Sequence, residues 1–387
     1  MITSSGKCGD SAGEWLRPDK GWPTNAPVGA LNAKSRIQGI ENANAGYYLA
    51  VPEEYSPTKA WPLFIVLHGS GTDPSGMISV FRTGLMKKGA IAAFPIAIRN
   101  QLLEWNYPHS GAYLLLIIKD VAATYRIDPR RIYLVGHSMG GGGTWAMGAI
   151  MPQAWAALGP MSGWALPDPA PPLQNLKGMP IYCIHGKLDK SVPAALSEQA
   201  FAELRRLGNS VRQYDSLPDP KTLSSATEIN IFREIQGADH AFFLPWKERG
   251  AQEVGLMVAW MLNQRRATPA NLAAAEKALA DWAAPYGWKP DGKLGQYADG
   301  TLSGGAAGTG ETGDLQNLAR QLQDQILKTD EDLANLRDGD GDASWRTIRV
   351  PSNFEMQCVG WNGSVGAAGT SGVYLSEELD TPRFREG

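Results

Sequence analysis

Residues 134–145 read LVGHSMGGGGTW. One serine, Ser138, stands between glycines, and Gly140 to Gly143 follow it almost at once. Glycine inside a helix or strand costs roughly 0.5–1 kcal/mol relative to alanine. Five glycines in the eight residues 136–143 therefore indicate a turn with no room for side chains. Gly136-His137-Ser138-Met139-Gly140 fits G-x-S-x-G, the pattern that holds a serine hydroxyl clear of the backbone on a sharp strand-to-helix turn. In a chain with 44 glycines the pattern alone is weak. Its setting strengthens it, because the buried-type run Ile132–Val135 comes directly before and the helix-like TWAMGAIM directly after. Gly136 and Gly140 would let strand and helix crowd beneath the serine, and Gly141 to Gly143 would keep the first helical turn thin. A serine hydroxyl needs a base before it is a useful nucleophile. A helix N-terminus beside it would favour the negative charge that develops during attack on a carbonyl.

The chain offers five histidines as that base. His68 and His185 each close an apolar run in a His-Gly pair, and His109 sits in the loop-like NYPHSG. His137 flanks the serine and is expected to point elsewhere. His240, in GADHAFF, follows the last apolar run of the central region. For an acid to orient the base, Asp189 lies four residues beyond His185 in IYCIHGKLDKSVP, on a loop leaving a strand. Asp215 and Asp219, on a later polar loop, are its rivals, while Asp239 is too close to His240 along the chain to reach its ring.

These residues need elements to carry them. GYYLAVP, WPLFIVLHGSG, AIAAFPIAI, RIYLVG, AALGPMSG, MPIYCIHG and INIFREIQG are strand candidates. Between them Ala112–Tyr125, AALSEQAFAELRRLG and AQEVGLMVAWMLNQ have helical length and pattern. Strands that are apolar throughout and alternate with helices predict a parallel sheet covered on both faces.

Four stretches, YYLAVPEEYSPTKAWPLFIVLHGSG, YRIDPRRIYLVGHSMGG, HGKLDKSVP and GADHAFF, together resemble the α/β-hydrolases. Within that superfamily they are similar to feruloyl esterases, polyhydroxyalkanoate depolymerases and related predicted peptidases. The resemblance spans residues 46–264 and is specific for fold and mechanism, not for substrate. It implies a doubly wound, mostly parallel sheet with helices on both faces. In the α/β-hydrolase chain order of Ser, acid, His, the triad becomes Ser138, Asp189 and His240. The oxyanion donors become the backbone N–H of Met139 and that of Ser70, with Gly71 the fallback for the second and His68 bracing its loop. The activity implied is carboxylic ester hydrolysis through an acyl-enzyme, on a small-molecule or polymeric ester, with no metal or organic cofactor. Many relatives carry a disulfide near the active site, a feature that the three cysteines Cys8, Cys183 and Cys358 do not reproduce. Trp105, Trp164, Phe242 and Phe243 fall on loops at the carboxyl edge of the sheet, where aromatic rings could grip an acyl group. Ordinary packing is the competing reading of each.

Composition narrows the rest. With 43% hydrophobic and 19% charged residues the 387-residue chain is of ordinary globular composition, and its net charge of −3 offers no field for nucleic acid. No apolar run reaches bilayer length, and the start of the chain lacks a signal-peptide layout. A chain already freed of its leader, hence secreted or periplasmic, would read the same way. Residues 1–45 form an irregular N-terminal arm by this reading. Beyond the catalytic domain at 46–264 come a helix and Gly-rich linker (265–313), an amphipathic helix (314–337) and a β-rich segment (338–387). In the last of these, DASWRTIRVPSNFEMQCVGWNG resembles the opening of sugar-binding jelly-roll domains attached to some glycoside hydrolases and sialate esterases, which implies a carbohydrate-linked ester. DGDGD is similar to a calcium loop, yet Ala343 replaces its turn glycine and Arg349 its glutamate, so no metal site is expected. A prolyl-oligopeptidase-like peptidase and a non-catalytic binding protein on the same fold are the alternatives. The first would need a gating domain that the N-terminal arm is too short to supply, and the second would expect a broken triad.

Overall fold

The computed structural model describes residues 18, 21–32, 46–98, 104–165, 173–224, 229–243 and 250–284. In chain order its strands are β1 (Gly29–Asn32), β2 (Tyr47–Val51), β3 (Trp61–Leu67), β4 (Ile91–Pro95), β5 (Ile127–His137), β6 (Ala157–Met161), β7 (Ile181–Gly186), β8 (Val211–Tyr214) and β9 (Asn230–Ile235). Its helices are α1 (Ser75–Lys87), α2 (Pro108–Thr124), α3 (Met139–Ile150), α4 (Ala195–Arg206), α5 (Pro220–Ser224), α6 (Gly250–Asn263) and α7 (Leu272–Ala283).

The apolar runs become strands because both of their faces are covered. Along β3 every residue is buried, with Leu63, Ile65 and Leu67 entering one core and Phe64 and Val66 the other. A strand buried on both sides shows no alternation in sequence. The first core holds Ile117 of α2, Met147 of α3, Phe201 of α4 and Leu279 of α7. The second holds Phe81 of α1 and Met257 and Met261 of α6. One sheet results, in the order β1-β2-β4-β3-β5-β6-β7-β9-β8. β2 runs antiparallel to β1 and to β4, and the remaining neighbours are parallel. Parallel strands end on one edge, so the turns after β3 through β9 gather there, with β5 at the centre. Arg233 of β9 and Glu253 of α6 form a buried bidentate ion pair (Nε–Oε2 3.0 Å, Nη2–Oε1 2.6 Å) that secures both ends of the segment carrying His240.

The predicted doubly wound sheet is observed, and three details extend it. Gly29–Asn32 pairs with Tyr48–Val51, so part of the 1–45 arm is a strand. GALN has no β-branched residue, and only the free edge of β2 makes it one. The short, polar β8 lines up beside β9 for the same reason. The helix expected after residue 266 is α7, capped by Asn271 Oδ1 accepting from Ala274 N–H at 2.9 Å. It buries Leu272, Ala275, Leu279 and Ala283 in the first core, and Leu279 lies against Gly111 of α2. The packed unit thus reaches past both ends of 46–264. The Gly-rich linker, the amphipathic helix 314–337 and the segment 338–387 lie outside the described residues, as do Cys8 and Cys358. Cys183 is a buried free thiol pushed up to about 12 by burial. Among the described residues no helix is long and apolar enough to cross a membrane.

If α7 is part of the core, Leu279→Ala should destabilise the protein by about 2–5 kcal/mol, as buried leucine truncations do. Chemical denaturation reads this directly, and unchanged stability would mean that α7 is detached in solution.

Candidate active site

Ser138 sits between β5 and α3 with φ +57° and ψ −121°, a conformation that a residue with a Cβ rarely adopts. Two backbone bonds hold it. Its N–H donates to Met161 O at 3.0 Å, and its own carbonyl accepts from Gly142 N–H at 2.9 Å to start the helix. The flanking glycines answer to close approach. A Cβ on Gly136 would lie 2.3 Å from Gly140 O, and one on Gly140 would lie 2.4 Å from Leu67 O. Strand, helix and the neighbouring strand touch backbone to backbone under the serine. Gly141 meets Met161 O in the same way, whereas Gly142 and Gly143 make room for the rings of Trp164 and Trp105.

The turn after β3 passes beside this elbow: a Cβ on Gly69 would be 3.3 Å from Ser138 Cβ and 3.8 Å from its Oγ. That turn is clamped. Gly69 O accepts from His68 Nδ1–H at 2.7 Å and from Thr72 Oγ1–H at 3.0 Å. His68 Nε2 accepts from Ala97 N–H at 3.0 Å, and His68 O accepts from Trp105 Nε1–H at 3.0 Å. Burial lowers the His68 pKa to about 4, so it remains the neutral Nδ1–H tautomer that these partners require. A trans peptide places C=O and N–H on opposite sides. Anchoring Gly69 O to His68 and Thr72 therefore turns the Ser70 N–H the other way. Among the described residues neither Ser70 N–H nor Met139 N–H has a backbone acceptor, and Ser70 Oγ is buried without a partner.

Asp189 leaves β7 on a turn in which its Oδ1 accepts from Ser191 N–H (2.9 Å) and Val192 N–H (2.8 Å). Its Oδ2 meets His240 Nδ1 at 2.7 Å and His185 Nε2 at 3.3 Å. Burial by itself would raise this carboxyl. The charge of His240 and the bonds from His185 and His240 outweigh burial and hold it well below the ordinary range. Asp215 and Asp219 are exposed; Asp215 bonds Gln213 Nε2 at 3.3 Å, and Asp219 caps the start of α5. Asp239 Oδ1 accepts from Ala241 N–H at 3.0 Å. Of the four candidate acids, it is Asp189 that meets the His240 ring. His240 Nδ1 is thus engaged by Asp189, and its ring lies 4.5 Å from that of His137, the residue before Ser138.

The aromatic candidates divide. Trp105 is fully buried, its N–H bonded to His68 O and its Cβ against Gly143, and so braces the β3 turn. Phe242 lies in the second core, and Phe243 packs 4.1 Å from the His137 ring. Trp164 stands against Gly142, one helical turn from Ser138, with a buried Nε1–H that has no partner among the described residues. The roles of His137 and His185 were not legible beforehand, although the four-residue spacing from His185 to Asp189 hints at the second. His109 begins α2 instead of lying in a loop, where it makes a buried 2.7 Å contact with Glu104. Among the described residues no group of three or more His, Cys, Asp or Glu is placed to hold a metal ion.

A central parallel sheet with a strained serine elbow after β5, and an Asp–His pair on the exits of β7 and β9, defines the α/β-hydrolase fold. Residues 108–233, from the start of α2 to β9, match the family described as phospholipase/carboxylesterase. Three curated relatives are similar at low identity. A candidate esterase, NocK of Nocardia uniformis subsp. tsuyamanensis, is 23% identical over 55% of this chain and 63% of its own length. A poly(3-hydroxybutyrate) depolymerase of Ralstonia pickettii is 28% identical over 37% of this chain and 35% of its own. The bifunctional acetylxylan esterase/xylanase XynS20E of Neocallimastix patriciarum is 27% identical over 41% and 23% respectively. The matched region thus spans less than two thirds of each of these relatives. A thermostable esterase of known structure superposes with a TM-score of 0.44 at 22% identity, over 61% of this chain and 62% of that one.

The depressed Asp189 pKa fixes the sign of a pH effect. Its ionised form contributes stability above the ordinary value of 3.8, and that contribution disappears as pH falls below it. The stability gap between wild type and Asp189→Asn should narrow as pH falls below about 4. Urea unfolding between about pH 5 and pH 2 measures it; a gap that widens below about pH 4 contradicts the arrangement.

Proposed function

We propose that this protein is a serine carboxylesterase with Ser138 as nucleophile, His240 as base and Asp189 as the acid that orients it. The observation that carries this reading is the 2.7 Å contact of His240 Nδ1 with Asp189 Oδ2 on the edge where the β5–α3 elbow presents Ser138. In the first half-reaction Ser138 Oγ bonds to the ester carbonyl carbon while its proton passes to His240 Nε2. The carbonyl oxygen becomes an anion, received by the N–H groups of Met139 and Ser70. Collapse of that anion breaks the bond to the alcohol, which leaves with the proton from His240. Water then repeats the sequence on the acyl-enzyme and frees the acid. Asp189 remains ionised throughout and stabilises the imidazolium that forms twice in each turnover. Losing a single oxyanion donor in such a site costs about 10²–10³ in rate, which is why the clamped β3 turn matters to the chemistry.

For substrate, we propose acyl esters on polymers or carbohydrates, of the acetyl, feruloyl or polyester type. This draws on the names of the depolymerase and acetylxylan-esterase relatives. Trp164, beside the first turn of α3, is the ring that would line the acyl side.

Turnover of p-nitrophenyl acetate and butyrate, methyl ferulate, acetylated xylan, a polyhydroxybutyrate film and a prolyl peptide amide should be led by an ester. Ser138→Ala should lower kcat by about 10⁴-fold or more, and adding His240→Ala should cost little further, because members of a triad act as a unit. Full activity in Ser138→Ala, or faster cleavage of the amide, would overturn the proposal.

A further inference from the structure

We propose that His137 is a positioning residue for the catalytic base, fixing the backbone of His240 against the nucleophile elbow. This rests on the reading of His240 as the base. His137 Nε2 lies 2.8 Å from His240 O. A carbonyl only accepts, so Nε2 carries the hydrogen and donates it. The His137 ring lies between two others, 4.5 Å from His240 and 4.1 Å from Phe243, and the residue is largely buried. Burial first, then the nearby charge of His240, holds this imidazole well below its ordinary pKa, so it stays neutral and keeps one tautomer.

The geometry explains why such an anchor is useful. The bond to Asp189 holds the His240 ring through Nδ1, and the bond from His137 holds its backbone carbonyl. One contact on the ring and one on the backbone together set the distance from Nε2 to Ser138. His240 lies beyond β9 on a segment of turns, and a residue of the elbow can hold its backbone in register with Ser138. His137 can, because it is the last residue of β5 and moves with Ser138. The strain held at the elbow and the position of the base are thereby tied through a single side chain. Displacing a catalytic group by about 1 Å can cost about 100-fold in rate.

The test compares wild type, His137→Phe and His137→Gln. Phenylalanine keeps a ring between His240 and Phe243 but has no donor, whereas the glutamine amide can place an N–H where Nε2 stood. Two rates are read: covalent labelling of Ser138 by a fluorophosphonate, and kcat on p-nitrophenyl acetate. His137→Phe should slow both by about 10- to 100-fold with KM within about twofold, and His137→Gln should recover most of the loss. Equal rates in wild type and His137→Phe overturn the proposal, and so does a glutamine variant as slow as the phenylalanine one. Nitrogen-15 spectra of wild type should show His137 protonated at Nε2; the Nδ1–H tautomer overturns the proposal even where a variant fails to fold. The two readings fail separately. Wild type that is not labelled at Ser138 sinks the serine-esterase reading and this one together, while normal labelling indifferent to His137 sinks this one alone.

Discussion

The active edge depends on how closely three pieces of backbone can approach under Ser138. Gly136, Gly140 and the Leu67 carbonyl lie so near one another that a single added Cβ would sit 2.3 to 2.4 Å from backbone oxygen. No rotamer change relieves such a contact, since no flexible side chain is involved. This closeness is what allows Ser138 to hold φ +57°. The strain of that conformation, of order 1–3 kcal/mol, is held in place by the Ser138 N–H bond to Met161 and by the first bond of α3. Once the elbow is formed, the Met139 N–H stands at a helix N-terminus, and the β3 turn is near enough to add Ser70.

Around this elbow the histidines share out the work of positioning. His68 anchors the turn after β3 through Gly69 O. His185 bonds Val192 O at 2.7 Å and Ser197 Oγ at 2.8 Å while its Nε2 also approaches Asp189. His137 ties the elbow to His240. His109 pairs with Glu104 at the start of α2, beside the Trp105 that supports His68. Imidazole suits these places because it offers two ring nitrogens at a fixed separation. A buried polar group without a partner costs roughly 1–3 kcal/mol. These partnered rings thus rigidify an edge otherwise made of turns.

Much of this was legible beforehand, for identifiable reasons. Apolar runs as long and continuous as Trp61–Leu67 and Ile132–Val135 can be satisfied only by burial on two faces, which leads to a parallel sheet with helices on both sides. The glycines around Ser138 announced backbone contact, because little else repays their entropy. Asp189 and His240 followed from their places after successive strands. The reading stopped short where a residue's burial is decided by distant parts of the chain. Trp105, placed on a carboxyl-edge loop with packing as the competing reading, packs because Gly143 and His68 O, 38 and 37 residues away, lie against it. Gly29–Asn32 carries no strand signal of its own and becomes one at the open edge of β2.

Residue types and their order along the chain were therefore enough to predict the fold and to single out Ser138, Asp189 and His240. Periodicity, close-packing glycines and chain order are local properties that survive without coordinates. Only the tertiary structure decided which face each aromatic ring presents, which carbonyl each buried imidazole holds, and how far the core extends into α7. Those depend on contacts between residues far apart in sequence, and a contact between two distant segments leaves no periodic trace in either one.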